Sequence, residues 1–453
     1  MTARRNRNNL IEGSLTSGIV RLAGPMFVSA MLQNLQSVID LFWVGKLGSD
    51  SVAALAMSGT VLMMLFPVIM GVATGTVALV ARAIGAGDNE LAADSAGQSL
   101  VLGMGFGALV GIAGFLTSGL LCRWLGAEPI VEALGEQYLQ VSFVGSFTVF
   151  LLFIGNSAMQ GAGNTVIPMI TMVLANVLNL GLDPLLIFGV AGFPRLEVRG
   201  AALATVISQA VAAALVLGVL LSGDRGGVHV RRTRWRVRAD LMQRLLRIGV
   251  PSAGQMLSRS VMALVLMRIV AEAGTIAVAA YGIGLRFHML ILMPAFTLGN
   301  AVATMVGQNL GAKRPDRAER AAWLGTGIDV GITVLGIVIL LLAARPLIAV
   351  FDDNPQVVAE GVRYLRTVSP FYVFAAFAIV LGRGLMGAGD TVGPLICTLI
   401  GLWGVQVPLA LWLSRVVEPS TQGVWWAIGA AIVVHGSLVT AWFMTGRWKR
   451  KQV

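Results

Sequence analysis

Apolar runs of twenty or more residues alternate along the chain with short charged intervals, and within them apolar and polar positions do not alternate as on a half-buried strand. Hydrocarbon leaves no partner for an unpaired backbone N–H or C=O, so runs of this length are helices. The pattern predicts twelve spans, at roughly 17–44, 52–81, 95–121, 137–160, 165–189, 200–222, 248–270, 276–307, 321–344, 367–386, 392–413 and 423–446. The expected fold class is all-α integral membrane.

A second pattern lies over the first. Shifting the chain by 226 residues brings Arg21 onto Arg247, Pro25 onto Pro251, Val52-Ala53-Ala54 onto Val278-Ala279-Ala280, Gly85-Ala86 onto Gly311-Ala312 and Tyr138-Leu139 onto Tyr364-Leu365. QGAGNTVIP (160–168) meets MGAGDTVGP (386–394) in the same register. Six spans per copy is an even number, so both copies enter the membrane in one direction. Two six-helix bundles related by a pseudo-twofold axis along the membrane normal are expected, as in alternating-access transporters. The bounds are 1–222 for the N-terminal lobe, 223–247 for a basic cytoplasmic linker and 248–453 for the C-terminal lobe. The glycine-rich pair fits tight turns between neighbouring helices.

Composition agrees with a membrane protein: 56% hydrophobic, 12% charged, 55 glycines in 453 residues. The net charge of +11 would suit nucleic acid in a soluble protein, but topology accounts for it. With both termini cytoplasmic, 20 of the 33 Lys and Arg fall in inner segments, 8 in outer loops and 5 within spans. That predicts a multi-pass protein of the inner (cytoplasmic) membrane, with GDRGGVHVRRTRWRVRADLMQRLLR positioned to meet anionic lipid headgroups and no nucleic-acid partner. RRNRNN precedes an apolar run too long and interrupted for a signal peptide. Cys122 and Cys397 fall at different depths, so no disulfide is expected.

The candidate chemistry lies where the copies differ. Only Asp40, Asp183 and Asp329 among the 22 acids fall well within spans, and their counterparts are Leu266, Leu409 and Gly103. Asn179 faces Val405, and Thr205 faces Ala431. Asn179 and Asp183 are four apart and share a helix face. A charged side chain at the bilayer centre costs about 2.5–3.5 kcal/mol or more, so an intramembrane carboxylate has a functional default. Two neighbouring carboxylates can share a proton or jointly bind a small cation. The competing reading is a permanent Arg partner, and the first half has no deep Arg, since Arg259, Arg268, Arg286 and Arg383 all belong to the second. Pro184 bends the fifth span beside Asp183 and Pro25 offers a second hinge. Gln33, Asn34, Asn156 and Asn176 are further polar candidates for substrate contact. Asp329, Arg286 and Arg383 form a second-lobe polar set whose expected role is pairing among themselves, with carbonyls or with headgroups. His288 and His435 read as bundle residues.

No G-x-x-x-x-G-K-[ST] loop occurs, which excludes an ATP-driven pump, and no Ser/His or zinc spacing supports an intramembrane hydrolase. An ion gradient remains: one charge is worth about 2.3 kcal/mol per 100 mV and one pH unit about 1.4, enough for a roughly hundredfold substrate gradient.

IDLFWVGKLG (39–48), VARAIGAGD (80–88) and the paired QGAGNT and MGAGDT turns, over essentially the whole chain, resemble the multidrug and toxic compound extrusion (MATE) transporters. The resemblance implies two rocking lobes that export drug-like compounds against inward proton or sodium flow. In the DinF-like branch a first-lobe cation site matches Asp40, Asn179, Asp183 and Thr205 here, a possible sodium site. The NorM-like branch uses a Glu in the seventh span, and SAGQMLSRSVMALVLMRIV has no acid. The expectation is a monomeric, non-enzymatic antiporter of amphipathic and cationic organic compounds, proton-coupled by preference, in contact with membrane lipids and without a cofactor. The alternatives are a flippase for a lipid or lipid-linked oligosaccharide and a non-transporting membrane sensor.

Overall fold

The computed structural model describes residues 10–223, 227–230 and 237–451. Among them the chain is helical, with no strand. The first repeat runs α1 (Leu15–Gly45), α2 (Ser49–Met63), α3 (Phe66–Ala86), α4 (Asn89–Trp124), α5 (Pro129–Val144), α6 (Ser146–Gly161), α7 (Val166–Phe188) and α8 (Glu197–Ser222). The second runs α9 (Ala239–Ala271), α10 (Thr275–Gly311), α11 (Pro315–Leu342), α12 (Ala344–Ala349), α13 (Pro355–Val368), α14 (Tyr372–Gly387), α15 (Val392–Thr398), α16 (Val407–Val416) and α17 (Ser420–Met444). Eleven helical stretches among the described residues are long and apolar enough to cross a membrane, and α5 with α6, bent by 47°, makes a twelfth. The protein is a multi-pass membrane protein.

The chain divides into two compact units, and the division departs from the expected lobe boundaries in two related places. Gly13–Ala23, the start of α1, counts with the second unit, and residues 239–250, the start of α9, count with the first. Residues 239–247, expected in the linker, are therefore helix. Both crossings fall at the repeat-related prolines, Pro25 inside α1 and Pro251 inside α9. Each loosens one helical hydrogen bond, so helix direction there is set by packing on either side. Within the second unit, Ile19 lies against Gly325, and Arg317 donates to the Gly13 carbonyl. Within the first, the Leu245 carbonyl lies 3.0 Å from where a Cβ on Gly75 would sit.

Small residues govern packing in each unit, as expected where lipid removes the hydrophobic drive between helices. In the first, Gly107 and Gly111 on α4 take the α5–α6 backbone so closely that a Cβ would come within 2.9 Å of the Phe147 Cα and of the Phe143 carbonyl. Phe150, Leu152, Leu100, Val216 and Leu220 fill its core. In the second, Tyr281 stacks on Trp425 at 5.7 Å and Tyr364 meets the same indole edge-on at 4.8 Å. Linker residues Val228 and Val230 are buried in the first unit's core, and Arg238 binds Asp94 at 2.8 Å and, through its backbone N–H, Gln98 at 2.9 Å. The arginines 231, 232, 234 and 236, expected to meet headgroups, lie outside the described residues.

Candidate cation site

Three helices of the first unit bring the expected polar set together. Asp40 comes from α1, Asn179 and Asp183 from successive turns of α7, and Thr205 from α8. The Asn179 Nδ2 donates to Asp183 Oδ1 (3.4 Å) and to Thr205 Oγ1 (3.3 Å), and the Thr205 hydroxyl donates to Asp40 Oδ2 (3.4 Å). All three are longer than an ordinary hydrogen bond and therefore weak. Asp183 and Asn179 are fully buried and Asp40 is 9% exposed. The carboxylates lie in each other's electrostatic field. Among the described residues neither forms an ion pair, so the permanent basic partner weighed from the sequence is not found.

The cluster has more acceptors than donors. Asp40 Oδ1, Asn179 Oδ1 and Asp183 Oδ2 are buried without a hydrogen-bond partner. A buried unpaired acceptor costs about 1–3 kcal/mol, more when charged, so converging oxygen atoms of this kind suit a proton or a small hard cation. Pro184 lies inside α7 and has no N–H to return to the Leu180 carbonyl one turn back, which adds backbone polarity beside Asp183.

Two buried polar residues near the cluster escaped the sequence reading. Gln36, one turn before Asp40 on α1, is 7% exposed and its Nε2 has no partner. Its signal was the i, i+4 spacing to Asp40. Tyr138 on α5 is buried and lies in the fields of both Asp40 and Asp183. It was visible only as a repeat pair with Tyr364, which points to scaffold.

The remaining candidates are dispersed. Asn176 lies one turn before Asn179, with its amide on the Met172 carbonyl (2.9 Å) and its Oδ1 unpaired. Asn156 is half-buried on α6 with Oδ1 unpaired. Gln33 and Asn34 sit on α1, and Asn34 is exposed and donates to the Ala30 carbonyl. In the second unit Asp329 is fully buried and neither oxygen has a partner, so the salt bridge expected for it with Arg286 or Arg383 is not formed. It points elsewhere: Arg286 is exposed over the Phe351 ring, and Arg383 lies over Phe296.

The turn motifs have structural explanations. Gly163 and Gly389, at φ 83° and 86°, close the same pair of backbone bonds after α6 and α14. In VARAIGAGD, Gly87 ends α3 at φ 80° and the Asp88 carboxylate caps α4 through the Leu91 N–H (2.9 Å).

A duplicated helical bundle with oxygen ligands buried inside one copy defines a membrane transporter rather than an enzyme. Comparison with known proteins gives the family. The MatE family model matches residues 25–185 and again 251–412, one match per repeat, each starting at its proline. A probable multidrug resistance protein NorM of Thermotoga maritima is 28% identical over 435 residues, covering 96% of this chain and 93% of its own. An FAD transporter of Shewanella oneidensis is 29% identical over 406 residues, covering 90% of each. A solved MATE structure in a bent conformation superposes with a TM-score of 0.91 at 26% identity, covering 97% of both chains. The protein belongs to the MATE family of multidrug transporters.

Proposed function

We infer that the protein is a cation-coupled antiporter of the inner membrane, both termini cytoplasmic, that exports amphipathic and cationic organic compounds by alternating access. The buried oxygen cluster of Asp40, Asn179, Asp183 and Thr205 carries the reading. A cation arriving from outside, a proton by preference and sodium otherwise, neutralises the paired carboxylates and satisfies their free oxygens. Its release inside restores the charge that favours the other state. Each step exchanges a desolvation cost for a bound ion, which ties substrate movement to ion movement. The first-lobe position of the cluster and the absence of an acid from residues 252–270 of α9 favour the DinF-like pattern within the family.

Purified protein in proteoliposomes tests this. Dye efflux is measured with a proton gradient and a sodium gradient imposed separately; one gradient alone is expected to drive uphill transport. Equal, gradient-independent dye movement under both conditions sinks the coupling.

Translocation of a lipid or lipid-linked oligosaccharide is the second reading, favoured by the half-buried arginines of the second lobe. Movement of a labelled lipid precursor in the same vesicles separates the two.

A further inference from the structure

Among the described residues the second lobe holds one acid with no exposed surface, and the cation cluster does not use it. Asp329 on α11 is fully buried, and neither carboxylate oxygen has a hydrogen-bond partner. Thr333, one turn further along the same face, is buried with its hydroxyl unpartnered as well. An ionised carboxylate buried without a partner is costly, so this one holds a proton wherever water is kept out. The scaffold does not call for the acid. Its repeat counterpart is Gly103, where a Cβ would fall 2.2 Å from the Ile154 Cδ1 and a side chain has no room.

The beginning of α1 covers the face that Asp329 occupies. A Cβ on Gly325, one turn before Asp329, would lie 2.3 Å from Val302 of α10, 3.7 Å from Val380 of α14 and 3.8 Å from Ile19 of α1. Arg317, two turns earlier still, donates to the Gly13 carbonyl. The two contacts set α1 parallel to α11 at an offset of 304 to 306 residues, which brings Asp329 level with Ala23 to Pro25. Ile19, Leu22 and Ala23, spaced i, i+3, i+4, are the buried face of this stretch, which belongs to the same compact unit as α11. The antiparallel neighbours give a register in the same way. Gly336 lies on Ile291 and Gly384 on Ala322, so Asp329 is level with Leu298 of α10 and Ala376 of α14, both buried. The seat is apolar on all three sides. Titratable groups on these helices are Arg21 on the exposed side of α1, Arg286 and His288 on α10, and Tyr372 and Arg383 on α14, and none of them bonds Asp329.

We propose that Asp329 is a second proton-binding site of the transporter, protonated while the beginning of α1 is seated on α11 and ionised when that seat opens to water. Thr333, by turning its hydroxyl toward the carboxylate, and the entering water supply donors to the charged form. Each opening then gives up one proton to water and each closing takes one back. The open fraction therefore rises with pH, by up to about tenfold per unit, and acid holds the seat shut. Asp40 lies further along the same helix, beyond Pro25, so the proposal rests on the cation-coupled reading for its use and deepens it: the helix that carries one cation ligand has a proton-sensitive anchorage in the second lobe.

The test is a pair of spin labels at Val20→Cys and Leu342→Cys, both exposed positions of the second compact unit, in full-length protein in nanodiscs frozen over a pH series. Cys122 and Cys397 are buried, and the protein without the added cysteines gives the labelling background. One distance is expected at low pH, joined by a second, longer one whose share grows as pH rises. In Asp329→Asn, which does not ionise, the first distance alone is expected throughout. A single unchanged distance without the Asn substitution, growth of the longer distance toward low pH, or the same pH dependence in Asp329→Asn overturns the proposal. If Asp329→Asn does not fold, Asp329→Leu takes its place by the same criteria. If neither folds, Thr333→Val decides: loss of the hydroxyl donor is expected to move the transition to higher pH, and an unmoved transition overturns the proposal. Failure of the coupling reading appears instead as absent gradient-driven dye efflux, which the label distances do not measure.

Discussion

The two lobes share backbone geometry at one position after another and carry opposite chemistry. Gly48 and Gly274 hold φ 114° and 97°, Gly163 and Gly389 hold 83° and 86°, and Lys313 at 57° adopts the left-handed conformation that Gly87 has at 80°. At matched depth, α7 presents Asn176, Asn179 and Asp183, whereas the corresponding span of the second lobe presents Leu402, Val405 and Leu409. That span also changes from α to π winding over residues 399–406, whereas α7 stays α-helical through the corresponding residues 173–180 and on through Pro184. The first lobe buries a pair of acids, and the second carries apolar residues at the matching positions. Turn geometry is what a duplicated chain needs in order to fold, so it persists. The buried polar set is under no such constraint, so it diverges.

Removing the acids should erase the contrast with the largest effect. Asp40→Asn and Asp183→Asn keep shape and lose ionisation. Each is expected to abolish the roughly fiftyfold accumulation that one charge supports at 100 mV, in vesicles, while the protein elutes as a single folded species. Full gradient-driven accumulation in Asp40→Asn would falsify the assignment.

Writing the first lobe's chemistry into the second is the next test. Leu409→Asp places a carboxylate where no polar set waits for it and should cost about 2.5–3.5 kcal/mol, read as a lowered thermal midpoint and poorer insertion. A neutral outcome would mean that the matched depth is not a matched environment.

The scaffold itself can be probed at equivalent glycines. A Cβ on Gly387 would fall 2.1 Å from the Ala303 carbonyl, whereas one on Gly161 would fall 3.0 Å from that of Val77. Gly387→Ala should therefore cost about 2–3 kcal/mol and Gly161→Ala nearer 1, with the order checked by thermal unfolding in detergent. Reversed order would show that the lobes are less alike than their turns.

Thr205→Ala removes one weak link of the cluster and should reduce cation affinity by only several-fold, about 0.5–1.5 kcal/mol, with Thr205→Ser restoring it. Lys449→Met, which breaks the partly exposed ion pair to Glu319, should change stability by less than about 1 kcal/mol.

Length and hydropathy made the spans legible, because the bilayer demands some twenty apolar residues whatever the packing. They do not reveal breaks inside a span. The bend at Gly145 and the interruption between α2 and α3 leave the apolar run intact. The π segment likewise keeps its composition and changes only its hydrogen-bond register. The site was legible through its cost: Asp40 and Asp183 stand out because lipid penalises them, and i, i+4 spacing drew in Asn179. Tyr138 was hidden because a buried tyrosine reads in the sequence as ordinary core material, whatever acids the fold brings near it. The salt bridge weighed for Asp329 is not formed, because several arginines sharing its half of the chain did not become contacts.

The exchange of helix beginnings at Pro25 and Pro251 bears on where the chain can be cut. Each unit incorporates the opening stretch of the other repeat, as identical subunits do when they trade an end reciprocally. Neither repeat taken alone therefore contains every residue of one compact unit. A single half expressed today should lack a piece of its own core, and co-expression of both should supply it.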